Sequence, residues 1–515
     1  MVEVSRAASF YGRPWSFDIP ALVHRTVREH PDRIAVQWND RKQSYTQLWE
    51  RTGRLSSGLA ALGVAFGGRV AILLSNRAEY VEVDVALARL HAVRVALNVR
   101  LSVDELSFIL DHAGVRVLLT EALYDEAVAE LAQRHEVVVV RIGDGTNAPP
   151  PATDYEQLLQ QASSTPDGPV GEKPEATAWV SYTSGTTGRP KGVVLSHRAL
   201  VQVSTNLLLE LGPPTHERSI LLAQPLSHGA GYFVLPYLVM GGTIHIMSRF
   251  DPEEALELGY RHRIETLKIV PVMLDELVEV NRDSPFDTIV YGAAAIPVPK
   301  LERAMDRLDS GFVQVYGQSE APVTITVLNR ADHARPGHHR KSAGRAWRTV
   351  SVDVVTPDGE RAQDGQVGEI VVRGGHIMDG YLDLPERTAE VLIDGLLWTR
   401  DTGYRDDEGY IHLLGRRDAM INSGGFNVAP REVELIVLQH PAVADCAVVG
   451  IPDPKWGQTI RAYVELRKGH SVEGSEIIEF CRPRLGYRRP RSVIVMPSLP
   501  RTPYGKLDES GLPRD

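Results

Sequence analysis

The sequence predicts an α/β protein with a multi-lobed large N-terminal domain, residues 1–415, and a smaller α+β C-terminal domain, residues 419–515. Three observations lead there. Helix and strand periodicities alternate through the first third, the texture changes beyond Gly415, and 515 residues exceed what one ordinary core holds. Pro20 opens a helix whose Leu22, Val23, Thr26 and Val27 share a face, and 33–38 reads as a strand. Leu48, Leu55, Leu59 and Leu62 mark a second amphipathic helix, followed by a short buried strand at 70–74. Ser102 and Glu105 form a capping box for the next helix, and 115–119 is again strand-like. A Ser-, Pro-, Gly- and Glu-rich surface connection at 161–176 leads into a strand at 179–182. The last hundred residues read as helix at 431–439, strands at 442–450 and 460–466, helix at 475–485 and strand at 493–496.

Composition excludes several classes. With 43% hydrophobic and 24% charged residues the chain is neither disordered nor fibrous. A net charge of -10 disfavours nucleic acid, whose phosphates need clustered Lys and Arg. One basic run exists, at Arg482, Arg484, Arg488, Arg489 and Arg491. It reads either as a solvated face or as a patch for a polyphosphate-bearing ligand. The two cysteines, Cys446 and Cys481, fit a reducing compartment and offer no disulfide framework. The N-terminus lacks a signal-peptide pattern, so a cytoplasmic location is expected. The uncharged stretch 220–248 contains Pro225, Pro236, His228 and His245, which points to buried core with turns rather than a membrane span.

The chemistry begins after Tyr182. The strand at 179–182 runs into Thr183, Ser184, Gly185, Thr186, Thr187, Gly188, Arg189, Pro190, Lys191 and Gly192. Glycines let backbone approach a ligand, hydroxyls donate to phosphate oxygens, and Lys191 adds a point charge. The loop is a polyphosphate cradle, but not a Walker one, because Pro190 precedes Lys191 and Gly192 follows it. Ser196 then caps a helix carrying Leu200, Val203 and Leu207.

This loop resembles the signature of the adenylate-forming (AMP-binding) superfamily, which includes acyl- and aryl-CoA synthetases, adenylation domains of peptide synthetases, and luciferases. The resemblance implies the adenylate-forming enzyme fold with a mobile C-terminal domain, and it assigns Thr186 to catalysis. Tyr316, Gly317, Gln318, Ser319 and Glu320 are similar to a second nucleotide motif, with Tyr316 near adenine and phosphate and Glu320 on Mg²⁺. Tyr291, Gly292, Ala293 and Ala294 resemble the small-residue lining of an adenine pocket. Asp401 matches a ribose-binding carboxylate, although Arg400 stands where the family more often has Gly. Arg416 matches a ribose or phosphate contact and Asp418 the hinge between domains. Lys506 matches a C-terminal lysine that stabilises charge building as a carboxylate attacks the α-phosphorus. Ser423, Gly424 and Gly425 match the turn that replaces Lys506 after domain rotation and lines a pantetheine channel. His228 matches a position near the acyl carboxylate and is assigned to catalysis as a gate of that channel.

The expected function is acid activation through an acyl-adenylate with pyrophosphate release, then transfer to coenzyme A, using ATP and Mg²⁺. Gly229 stands where amino-acid-activating members usually carry Asp, and 220–248 contains no acidic residue. A substrate without an α-ammonium is therefore favoured. The chain ends nine residues after Lys506, so the acceptor is expected to be CoA or a free-standing carrier protein. The alternatives are adenylation of an oxyacid such as nitrite, or delivery to a nonthiol nucleophile. A noncatalytic binding module is disfavoured because Lys506, Glu320 and Asp401 are all present. Homodimerisation is the default expectation.

Overall fold

The computed structural model describes residues 18–143, 152–162, 173–183, 190–211, 218–280, 282–294, 296–423, 426–454, 456–501 and 507–513. The chain divides into two compact units. One holds residues 1–250, 264–266 and 375–383, and the other holds 251–263, 267–374 and 384–515.

In the first unit the local signals act as the sequence implies. Asp18 accepts a hydrogen bond from the Ala21 amide and starts the helix Ile19–Glu29 at Pro20. Ser44 with Gln47 and Ser102 with Glu105 close capping boxes on the helices Tyr45–Ala61 and Val103–His112. The strand Arg69–Leu73 lies parallel to Val93–Ala96 on one side and Val117–Glu121 on the other. Helices cover such a strand on both faces, which explains its unbroken apolar run. Val93–Ala96 continues in parallel to Thr177–Thr183, and the antiparallel Lys191–Ser196 and Gly380–Tyr381 complete that edge. The uncharged stretch resolves into the strand Ser219–Leu222, a short turn of helix Gly231–Phe233, the helix Val234–Val239 and the strand Thr243–Ile246. Among the described residues no helix is long and apolar enough to cross a membrane.

In the second unit the strands Thr288–Gly292 and Gly311–Gln318 are parallel, and Ala321–Leu328 folds back antiparallel on the latter. A second sheet sets Ser351–Val355, Gly368–Arg373, Leu396–Arg405 and Ile411–Arg416 side by side. The C-terminal residues form their own sheet around the long hairpin Val443–Asp453 and Gly457–Leu466, with Ser492–Met496 parallel to the latter. Helices Pro430–Val437 and Gly474–Leu485 pack on it, burying Val433, Val437, Ile477, Cys481 and Leu485 against Val448, Ile460 and Val464. Both cysteines are unoxidised and buried here, and burial pushes the Cys481 thiol up to about 11. Of the predicted surface connection at 161–176, residues 163–172 lie outside the described residues.

Candidate active site

The cradle is framed by a hairpin. Thr177–Thr183 and Lys191–Ser196 pair antiparallel, with Thr183 opposite Lys191 at the open end. Gly192 is required there, since a Cβ would stand 2.8 Å from Val180 and 3.2 Å from the Tyr182 ring. The Tyr182 hydroxyl bonds His112 Nδ1 at 2.7 Å, which holds the strand end against the helix Val103–His112. The Lys191 ammonium lies 5.1 Å from the centroid of the Tyr381 ring. Ser184, Gly185, Thr186, Thr187 and Gly188 lie outside the described residues.

In the second unit three predicted residues converge. Asp401 and Arg416 face each other in register on adjacent strands, and Arg416 Nε lies 2.9 Å from Asp401 Oδ1. The Tyr316 hydroxyl donates to Asp401 Oδ2. Burial and the adjacent carboxylate push that phenol well above its ordinary range, so Tyr316 is a fixed donor. Asp401 is 13% exposed, so its carboxylate is reachable from solvent. Thr399 supports the arrangement: its hydroxyl accepts from the Asp401 amide at 3.1 Å and its carbonyl accepts from Arg416 Nη1 at 3.1 Å.

Arg400 explains its own departure from the usual glycine. Its φ is +61°, a left-handed conformation that favours glycine. The amide donates to Glu369 Oε1 at 2.9 Å, and the guanidinium to Glu390 at 2.8 Å. These two bonds hold the turn that glycine would adopt without strain. Arg417 bonds the other oxygen of Glu369 at 2.8 Å.

The small-residue stretch also has a steric reason. A Cβ on Gly292 would meet the Val315 carbonyl at 2.3 Å, and one on Gly317 would meet the Val323 amide at 2.4 Å. Ala293 adopts φ +68° and, with Ala294, is exposed after the strand ends. The two glycines are fixed by packing against neighbouring backbone, whereas Ala293 and Ala294 present methyl groups to solvent. Ser319 and Glu320 form the half-buried turn between Gly311–Gln318 and Ala321–Leu328. Val323 follows at φ +46°, a strained state for a β-branched residue.

His228 sits in the turn 225–231, its amide bonded to the Pro225 carbonyl and its Nδ1 2.7 Å from Ser227 Oγ. Burial, then the charges of Arg94 and Arg100, push the imidazole down to about 4, so it is neutral near pH 7.

Ser423 ends the strand Ile421–Ser423, opposite Phe426 and Gly457, while Gly424 and Gly425 lie outside the described residues. Asp418 falls in the short helical turn Arg417–Ala419 directly after the strand that carries Arg416. Lys506 lies outside the described residues, between the paired Arg501 and Leu507. Sequence reasoning missed Thr399, Glu369 and the Arg94 cluster. Thr399 had a signal in its place two residues before Asp401; Arg94 and Glu369 had none, because their partners are distant in sequence.

Residues 23–382 match the family described as AMP-binding enzyme, and 432–506 match the AMP-binding enzyme C-terminal domain. A feruloyl-CoA synthase of Amycolatopsis is 37% identical over 491 residues, covering 94% of this chain and 96% of that protein. The structure of o-succinylbenzoate coenzyme A synthetase from Bacillus subtilis, with ATP and magnesium ion, aligns with TM-score 0.85 and 30% identity over 96% of this chain and 99% of that one. The amide bond synthetase McbA of Marinactinospora thermotolerans aligns with TM-score 0.86 and 30% identity, covering 95% and 99%.

Proposed function

The chain belongs to the AMP-binding enzyme family, and from that premise we propose that it joins a carboxylic acid without an α-ammonium to AMP, releases pyrophosphate, and passes the acyl group to coenzyme A. The observation that carries this reading is the Asp401 clasp: a partly exposed carboxylate with one oxygen on Arg416 and the other on Tyr316. The small, exposed Ala293 and Ala294 at the end of the strand Thr288–Gly292 support a flat base beside it. Glu320 would hold Mg²⁺, which supplies charge neutralisation for the triphosphate. Thr183 and Lys191, at the open end of their hairpin, hold the two ends of the phosphate loop, and Thr186 donates to phosphate within it.

Lys506 stabilises the bridging oxygens during carboxylate attack, and residues 419–515 then turn about Asp418 to bring Ser423, Gly424 and Gly425 to the acyl carbon. A feruloyl-CoA synthase among the relatives supports an aryl acid as substrate and CoA as acceptor. The amide bond synthetase neighbour supports a second reading, delivery to an amine. A panel of aryl, aliphatic and amino acids, with nitrite included, is assayed for acid-dependent pyrophosphate release and then for CoA-dependent consumption of the adenylate. Pyrophosphate release with aryl or aliphatic acids and thioester formation supports the reading. Release only with amino acids or nitrite, or adenylate consumed by amines and not by CoA, rejects it.

A further inference from the structure

Behind the His228 turn lies a charge that a core strand does not ordinarily carry. Arg94 belongs to Val93–Ala96 and is 2% exposed. Its Nη2 donates to the Leu226 carbonyl at 2.7 Å and to the Tyr80 hydroxyl at 3.1 Å. The guanidinium carbon lies 3.9 Å from the centroid of the Trp179 ring, and Trp179 packs on Tyr232 with centroids 5.1 Å apart. Asp84, 9% exposed on the helix Ala78–Leu90, lies 3.2 Å from Arg94 Nε. A cavity of about 30 Å³, lined by Asp84, Trp179, Val203, Gly231 and Tyr232 among others, adjoins this group. It has room for a water and not for an acid.

A buried ion pair contributes little net stability compared with apolar residues of the same size. What Arg94 supplies is geometry. One planar group stacks on the strand that feeds the phosphate cradle, four residues before Thr183, and bonds the turn that carries His228. Gly231 at the end of that turn leaves no room to shift, since a Cβ there would stand 2.4 Å from the Leu226 carbonyl and 3.5 Å from the guanidinium. Asn76 clips the same turn on its other side, donating to the Gln224 carbonyl at 2.8 Å and accepting from the Leu226 amide at 2.8 Å.

We propose that Arg94, held by Asp84, is a positioning residue that fixes the turn 225–231 and so places His228 against the acid substrate; this rests on the acid-activating function above. The test is a double-mutant cycle between Arg94→Met and His228→Ala, read in acid-dependent pyrophosphate release, with hydrogen exchange of the 225–231 peptide measured in parallel. Arg94→Met raises KM for the acid about tenfold, leaves KM for ATP within about twofold, and adds no further loss when His228 is already Ala. Exchange across 225–231 quickens while that of Val117–Glu121 does not. Arg94→Lys, which keeps the charge but not the planar fork, gives an intermediate loss. If Arg94→Met does not fold, Asp84→Leu with Arg94→Met removes both charges and takes its place. Independent, additive losses, or unchanged exchange at 225–231, overturn the proposal. If the wild-type protein releases no pyrophosphate with any acid, the functional reading fails, and the exchange arm alone decides whether Arg94 holds the turn.

Discussion

Asp401 and Asp84 are both carboxylates paired with an arginine and flanked by a tyrosine, yet they stand in different situations. Asp401 is partly open, at 13% exposure, and both its oxygens already carry a contact. Its partial exposure leaves Asp401 within reach of solvent. Asp84 is shut into an apolar nest, its Oδ1 receives no hydrogen bond, and burial pushes its carboxyl up to about 6. Partial exposure suits a carboxylate to a ligand, whereas one shut into the core spends its charge on a neighbouring cation. The first kind recurs in short motifs because nucleotides are alike; the second is scattered because each protein fills its own core.

Five substitutions and one condition break or sharpen that contrast. The largest effect falls outside both carboxylates: Lys506→Ala lowers acid-dependent pyrophosphate release by about 10²–10³-fold and spares thioester formation from supplied acyl-adenylate, as half-reaction assays will show. Next, Asp401→Asn weakens use of ATP by about 10–100-fold in kcat/KM with little change in melting temperature. Asp84→Asn does the reverse, because it strands the Arg94 charge: it costs about 3 kcal/mol of stability in denaturant titration and leaves KM for ATP near its original value.

Third comes pH. His197 and His376 are fully buried with neither ring nitrogen hydrogen-bonded, and burial pushes each down to about 4. Their folded values lie below the unfolded 6.5, so the unfolded chain takes up protons first as pH falls. Stability is therefore full above pH 6.5 and is lost as pH drops toward about 4, by about 3 kcal/mol per ring. Asp84, raised to about 6, works in the opposite sense over that window and offsets part of the loss. His376→Leu flattens the pH dependence of the melting temperature between 7 and 5, by roughly one ring's share. The smallest effect is Arg400→Gly, which relieves the left-handed backbone by about 1 kcal/mol, gives back part of that through Glu390, and leaves ATP kinetics within about twofold.

Legibility followed the same division. The capping box at Ser102, the strand before the cradle and the C-terminal α+β order are local signals, and the strand and the C-terminal elements were visible within three residues of their observed ends. Tyr316, Asp401 and Arg416 were legible from motifs, and the structure gives them contacts across 85 and 15 positions of sequence. The reason a turn at Arg400 tolerates arginine was not legible, since it depends on Glu369, which is 31 positions away. Nothing in the sequence singled out Arg94, because no local pattern reveals that Asp84, Trp179 and Leu226 meet around it.

The most direct measurement follows the oxygen atoms. An accepted acid whose carboxylate oxygens carry a heavy-isotope label is incubated with ATP, Mg²⁺ and CoA, and the nucleotide product is weighed by mass spectrometry. Attack of the carboxylate on the α-phosphorus transfers one labelled oxygen to AMP, and that is the result this account predicts. Unlabelled AMP, or ADP with inorganic phosphate, would contradict it.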